Sequence, residues 1–168
     1  MENRSLFAML KTLLGKNFGK VYSKNEYFNL KKNTFYIYNT EVKPKFGHFV
    51  ALYFDANKTL EIFDSLNYMT LPEYLTKQAK KVIYVSKRRI QSKFSQLCGL
   101  FCLYWIYFRY LKYENKCILS HFTNNRDIND SRIYLFYKKN FSFFRDYKLV
   151  TVINSKFILK RIKQICHT

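Results

Sequence analysis

Three side chains match the groups that nucleophilic catalysis by a thiol requires. Cys98 offers the nucleophile, His48 offers the base that activates it, and Asp64 offers a carboxylate that can hold the imidazole. His48 opens one predicted strand, and Asp64 follows the next strand sixteen residues later. Because a hairpin places the start of one strand beside the end of the other, we expect the imidazole and the carboxylate to be neighbours.

The surroundings of Cys98 fit a reactive thiol. Cys98 lies at the predicted N-terminus of an apolar helix, where the helix dipole lowers the pKa of a thiol, and Gly99 lets a substrate backbone come close. Gln91 lies seven residues upstream and can donate an amide N–H to a developing oxyanion, together with the Cys98 backbone N–H. Cys102 falls one turn further along, and we expect it in the core. The predicted catalytic residues are His48, Asp64, Gln91 and Cys98.

Each of these residues also has an ordinary structural interpretation. A histidine behind Gly47 on an apolar strand is often a buried, hydrogen-bonded side chain, and a single aspartate after a strand is often a turn residue. Cys98 can equally pack in the core. The polar segment 91–96 that leads to Cys98 favours the catalytic interpretation, because core packing does not require it.

The elements that must position these residues read as one α+β domain over 1–168. Runs of β-branched and aromatic residues predict strands, and capped or apolar runs predict helices. The predicted helices are 6–14, 72–80, 98–113, 131–140 and a basic helix at 155–166. The predicted strands are 34–38, 48–54, 60–63 and 81–85, and 150–153 is either a strand or a join between helices. This order favours α+β over repeated βαβ units.

The catalytic side chains, in the order His, Asp, Gln and Cys-Gly, resemble those of the adenovirus-type cysteine endopeptidases, the adenain family. The residues that carry the resemblance are GHFVAL at 47–52, IFDSL at 62–66, IQS at 90–92 and CGLFC at 98–102. The related SUMO-type peptidases share this catalytic order. Weaker similarity at 14–28 and 132–145 extends the resemblance over most of the chain. The chain is shorter than typical members, and Phe49 stands where they usually have Trp.

This resemblance implies an adenain/SUMO-protease-like fold, in which a small central mixed or antiparallel sheet packs on the buried helix that carries the nucleophilic cysteine. It implies a monomeric thiol protease that cleaves viral precursor proteins during virion maturation, in the host nucleus and virion. Adenoviral members use DNA as a cofactor and are activated by a peptide through a disulfide. The matching position here is Lys80, with no cysteine near it. We therefore expect no obligatory cofactor, with DNA and an activating peptide as candidate activators.

The charge balance predicts a polyanionic partner. The chain has 30 Lys and Arg against 11 Asp and Glu, a net charge of +19, which attracts nucleic acid through counterion release. No acidic residue lies between Glu73 and Glu114. The candidate DNA contacts are Lys87, Arg88, Arg89, Lys156, Lys160 and Arg161. The basic cluster 87–89 also fits an acidic substrate or a nuclear-import patch, and the C-terminal basic residues also fit a solvated helix face.

We expect no metal site, membrane span or secretion from the sequence. The four cysteines form no CxxC pair and have no Cys/His spacing typical of zinc sites. The longest apolar run, 97–108, is shorter than the roughly 20 residues that cross a bilayer. Lys11 interrupts the apolar segment where a signal peptide would continue. Without a secretion signal, reduced thiols are expected.

Two other functions fit parts of the sequence. A deubiquitinase- or deSUMOylase-like peptidase would use the same catalytic residues on ubiquitin-like C-termini. A non-catalytic, basic DNA-binding core protein would account for the charge but gives no reason for the order of His, Asp, Gln and Cys-Gly. A catalytically inactive descendant of a peptidase would keep the residues without the geometry.

Overall fold

The computed structural model describes residues 3–42 and 47–141, and these form an α+β fold. The helices are α1 (Asn3–Leu14), α2 (Glu73–Thr76), α3 (Cys98–Tyr110), α4 (Asn115–Ser120) and α5 (Arg126–Phe141). The strands are β1 (Phe18–Ser23), β2 (Thr34–Asn39), β3 (Phe49–Phe54), β4 (Thr59–Phe63) and β5 (Lys81–Tyr84). A 3₁₀ turn, Gly15–Asn17, joins α1 to β1. The predicted elements at 150–153 and 155–166 lie outside the described residues.

The five strands form one mixed sheet in the order β1-β2-β3-β4-β5. The inner pairs, β2–β3 and β3–β4, are antiparallel, and the outer pairs, β1–β2 and β4–β5, are parallel. The predicted hairpin is confirmed as β3–β4, with Ala51 opposite Phe63. The Asp55 carboxylate closes its turn by accepting hydrogen bonds from the backbone N–H groups of Asn57 and Thr59. This pairing brings the start of β3 beside the end of β4, where the site lies.

The sheet has an apolar core on each face. Every residue of β2 and β3 is buried, so both faces of these strands are covered. The core on the α3 side includes Phe35, Ile37, Ala51, Phe63, Phe101 and Trp105. The opposite core includes Tyr36, Tyr38, Leu52, Ile62 and Leu75. Successive strand residues alternate between the two cores, as the pleat requires.

Helix α3 is the central helix of the fold, and its predicted burial is confirmed. Ten of its thirteen residues are buried, and the Trp105 ring stacks on Phe63 with 5.5 Å between centroids. Near its end, the Arg109 guanidinium forms two hydrogen bonds to the Glu61 carboxylate, of 2.8 and 2.9 Å, and a third to the Tyr113 carbonyl. Apolar contact and this ion pair fix α3 against β4, so the position of its first residue is fixed too.

Some predicted element bounds are wrong. The helix predicted at 72–80 is only Glu73–Thr76. It ends early because the chain then turns, so that the Lys80 N–H donates a hydrogen bond to the Lys58 carbonyl and β5 can begin. Helix α3 ends at Tyr110, three residues early, where Lys112 takes a positive φ of 68°. Helix α5 begins at Arg126, five residues before the predicted start, because the Asn125 side chain accepts hydrogen bonds from its first N–H groups.

Two elements have no counterpart in the sequence prediction. Strand β1 contains Gly19 and Lys20, residues that give little strand signal, and it is held by parallel pairing to β2. Gly19 is needed there, because a Cβ would lie 2.2 Å from the Tyr36 ring. Helix α4 is a six-residue segment, too short to show helical periodicity.

Candidate active site

His48 and Asp64 meet at the open end of the β3–β4 hairpin, as predicted. His48 Nε2 and Asp64 Oδ1 are 2.5 Å apart, and both side chains are almost completely buried. The second carboxylate oxygen of Asp64 accepts hydrogen bonds from the backbone N–H groups of Tyr68 and Met69, and Oδ1 accepts another from Leu66. The loop after β4 therefore wraps around the carboxylate and keeps it charged and aimed at the imidazole.

The backbone before His48 is also held in place. The Thr40 hydroxyl accepts a hydrogen bond from the His48 N–H, and the Thr40 N–H donates to the His48 carbonyl. The Gly47 N–H donates to the Asn39 side chain. A Cβ at Gly47 would lie 2.3 Å from Cγ of Glu41, so a larger residue there would disturb the approach to His48.

Cys98 is the first residue of α3 and is buried beside His48. Burial raises the pKa of its thiol, but hydrogen bonding and charge interaction with His48, together with backbone interactions at Phe49 and Gly99, outweigh that effect, so the net pKa is lowered. The N-terminal position on α3 acts in the same direction, since the helix dipole favours an anion there. The structure therefore brings His48, Asp64 and Cys98 together.

The imidazole of His48 is biased towards its protonated form. Burial lowers its pKa, but hydrogen bonds to Asp64 and Cys98 outweigh burial and raise the pKa to about 9. The Asp64 carboxylate is hydrogen-bonded to Nε2 of the ring, and Nδ1 is buried without a well-formed hydrogen bond. Since Cys98 acts on the same ring, we infer that Nδ1 is the nitrogen that faces the thiol. Burial raises the Asp64 pKa, but the His48 and backbone interactions lower it overall.

Gln91 is fully buried in the loop between β5 and α3. Its side-chain oxygen accepts a hydrogen bond of 2.6 Å from the Ser65 hydroxyl, and its side-chain nitrogen donates one of 2.7 Å to the Ser95 carbonyl. Ser95 lies three residues before Cys98, so this amide is tied to the segment that leads into α3. The hydrogen bonds of Gln91 thus run to Ser65 and Ser95, and its role towards an oxyanion stays a prediction.

The other cysteines differ from Cys98. Cys102 is fully buried, as predicted, and its Sγ lies 3.3 Å from the Phe49 carbonyl. Burial raises the Cys102 pKa well above its ordinary value, so its thiol stays neutral. Cys98 and Cys102 are free, whereas Cys117 is disulfide-bonded. The expectation that all the thiols are reduced is therefore wrong at Cys117.

The predicted DNA contacts lie in the segment just before Gln91 or outside the described residues. Lys87 and Arg88 are exposed and Arg89 is half-buried. The Arg88 guanidinium also donates to the Phe122 carbonyl, so it helps to hold the loop before α5. Lys80, at the position of the expected activator cysteine, is exposed and immediately precedes β5. The remaining candidates, Lys156, Lys160 and Arg161, lie outside the described residues.

Two residues near the site were missed by the sequence analysis. Ser65 follows Asp64 and holds the Gln91 side chain. Tyr68 places its ring 5.2 Å from the His48 ring, at an angle of 32°, and stays largely exposed. Both lie in the loop after β4, and only the IFDSL similarity drew attention to this segment. An exposed tyrosine in a loop carries no signal of its own in a single sequence.

No protein-family model matches the chain, and a search of curated proteins gave no match either. Among residues 3–42 and 47–141, no group of three or more His, Cys, Asp or Glu side chains is placed to hold a metal ion. None of the helices within these same ranges is both long and apolar enough to cross a membrane.

We predict that Cys98 reacts with iodoacetamide at pH values where an ordinary thiol does not. Because the Cys98 pKa is lowered and the His48 pKa is raised to about 9, the thiolate–imidazolium pair exists between these two values. The alkylation rate of Cys98 should reach half of its plateau below pH ~8.5, the pKa of a free thiol. Mass spectrometry of the alkylated peptides from pH 5 to 9 measures this rate.

Cys102 provides the internal control, because its raised pKa and burial should keep it unreactive over the same range. His48→Ala should move the Cys98 midpoint up to about 8.5 or above, since the imidazolium is lost. Equal rates for Cys98 and Cys102, or an unchanged midpoint in His48→Ala, would contradict the ion pair.

Proposed function

We propose that this chain is a cysteine endopeptidase of the adenain type, with Cys98 as its nucleophile. One observation carries the proposal: a thiol of lowered pKa begins a buried helix beside an imidazole that a buried carboxylate holds. A core cysteine needs neither partner, and Cys102 on the same helix has neither. The α+β fold with a mixed sheet is compatible with the proposed family, and the motif similarity at 47–52, 62–66 and 98–102 supports it.

In the proposed reaction, the Cys98 thiolate attacks the carbonyl carbon of a peptide bond and forms a C–S bond. The Gln91 amide and the Cys98 N–H, which begins α3 without an intrahelical partner, donate to the resulting oxyanion. The C–N bond then breaks, and the His48 imidazolium gives its proton to the leaving amine. Water attacks the thioester, His48 takes a proton from it, and the thiolate leaves as the carboxylate product is released.

The proposed substrates are viral precursor proteins cleaved during virion maturation, in the host nucleus and in the virion. This assignment follows from the family resemblance alone. A deubiquitinase- or deSUMOylase-like activity requires the same three side chains, so the substrate distinguishes the two. Ubiquitin-like proteins end in a flexible tail that a covalent probe can mimic, which makes that alternative directly testable.

We predict that the purified chain hydrolyses peptide bonds and that Cys98→Ala abolishes the reaction. The rate should rise with pH as Cys98 ionises and fall again as His48 loses its proton near pH 9, because the thiolate and the imidazolium are both required. Gln91→Ala should lower kcat by about 10²- to 10³-fold, the cost of one oxyanion donor. Cleavage of a fluorogenic peptide library, read at each pH, measures these rates.

The control for Cys98→Ala is Cys102→Ala, which removes a thiol from the same helix and should retain hydrolysis. Ubiquitin and SUMO carrying a C-terminal electrophile serve as competing probes. Rapid and selective labelling of Cys98 by these probes would favour the deubiquitinase or deSUMOylase alternative. Undiminished hydrolysis by Cys98→Ala would disprove the assignment of the nucleophile.

We further propose nucleic acid as a partner that stimulates the peptidase. The net charge of +19 supports it, since such a field binds a phosphate backbone regardless of sequence. Among the described residues, Lys87 is an exposed part of the cluster that precedes Gln91 by a few residues. Arg88, by contrast, already donates to a backbone carbonyl, so it is the less suitable reporter. Without catalysis, the same surface would serve a DNA-binding core protein.

We predict that the chain binds duplex DNA with an affinity that falls steeply as the salt concentration rises. In a plot of the logarithm of the binding constant against the logarithm of the salt concentration, the slope should fall by about 0.9 for each phosphate neutralised. Lys87→Ala should make that salt dependence shallower, with the magnitude of the slope smaller by about 1. Fluorescence anisotropy at several salt concentrations measures both. The matched control is Lys116→Ala, because Lys116 is also exposed but pairs with Glu114 at 3.0 Å. Equal slopes for the two variants would exclude Lys87 as a DNA contact.

A further inference from the structure

The loop after β4 joins the imidazole-holding carboxylate to the amide of Gln91. Asp64 and Ser65 are consecutive, and both are buried. Asp64 holds His48, whereas the Ser65 carbonyl accepts hydrogen bonds from the backbone N–H groups of Ile90 and Gln91, at 2.9 and 3.1 Å. The Ser65 hydroxyl reaches the Gln91 side chain as well. Three hydrogen bonds from one residue therefore fix the Gln91 segment against the end of β4.

The orientation of the Gln91 amide follows from its two neighbours. The Ser95 carbonyl can only accept a hydrogen bond, so the amide nitrogen must face it, at 2.7 Å. The amide oxygen must then face Ser65, whose hydroxyl acts as the donor, at 2.6 Å. One N–H of Gln91 is used by Ser95, which leaves the other for a ligand. If the amide were rotated by about 180°, its oxygen would face the Ser95 carbonyl oxygen, and neither atom could donate a hydrogen bond.

We infer that Ser65 is a positioning residue that holds the Gln91 amide in the orientation that presents its second N–H to the oxyanion. This inference rests on the proposed function and deepens it. The hydroxyl also polarises the amide, because a hydrogen bond to the carbonyl oxygen strengthens the N–H groups as donors. Both side chains are fully buried, so the protein has excluded the water that would otherwise replace this hydrogen bond.

Ser65→Ala tests the inference, because the backbone hydrogen bonds of Ser65 remain in this variant. We expect kcat to fall about tenfold or more while KM stays unchanged, since the lost interaction acts on the transition state. The pH midpoint of Cys98 alkylation should stay unchanged, because His48 and Asp64 are not altered. In the double variant Ser65→Ala/Gln91→Ala, the rate should equal that of Gln91→Ala alone, because Ser65 acts only through Gln91.

The matched control is Ser86→Ala. Ser86 is another buried serine, and within the described part of the chain its hydroxyl has no hydrogen-bond partner. Its removal should leave kcat within about twofold of the wild-type value, since no hydrogen bond is lost. Wild-type kcat in Ser65→Ala, or a loss that adds to that of Gln91→Ala, would overturn the inference. Circular dichroism confirms that each variant is folded.

A second readout does not need turnover. The side-chain amide signals of Gln91 in a ¹⁵N spectrum, identified by their loss in Gln91→Ala, should exchange slowly with water in the wild type and quickly in Ser65→Ala. Equal exchange in both would overturn the inference. If the wild type cleaves no peptide either with or without duplex DNA, the proposed function fails, and this measurement still decides whether Ser65 holds the amide.

Discussion

The buried carboxylate of Asp64 is the group on which the rest of the site depends. Taking a charge out of water costs several kcal/mol unless it is paired and hydrogen-bonded. Here three backbone N–H groups and the His48 ring provide the partners, so the loop after β4 must close around the carboxylate for the site to exist. The same closure places Ser65 against Gln91 and the Tyr68 ring over His48. One turn thus organises both the imidazole and the amide.

The fold supplies the remaining constraint, which is the position of Cys98. Helix α3 is buried along its length and tied to Glu61 by Arg109 at its far end, so its first residue cannot move away from His48 without breaking core contacts. The antiparallel β3–β4 pairing fixes His48 from the other side. The thiol and the imidazole therefore meet because two rigid elements converge, which is how catalytic groups are held in a productive geometry.

The sequence was informative where local patterns and packing agree. The β-branched and aromatic runs and the turn residues of 48–63 predicted the hairpin, and hence the contact of His48 with Asp64. The apolar run after Cys98 predicted α3 and its first residue. Strand β1 was missed because its stability comes from parallel pairing to β2, a long-range contact that leaves no local pattern. Ser65 was missed because a buried serine and a turn serine look the same until Gln91, 26 residues away, is brought beside it.

The central claim is that His48 is an imidazolium beside a Cys98 thiolate at neutral pH. An NMR titration of the histidine rings tests it most directly, with His48→Ala to assign the signal. The account predicts that His48 titrates near pH 9 and that Cys98→Ala lowers this pKa, because the thiolate no longer favours the charged ring. His121 offers an internal contrast, since burial and Arg132 lower its pKa. A His48 pKa at or below about 6.5, the value of a free histidine, would contradict the account.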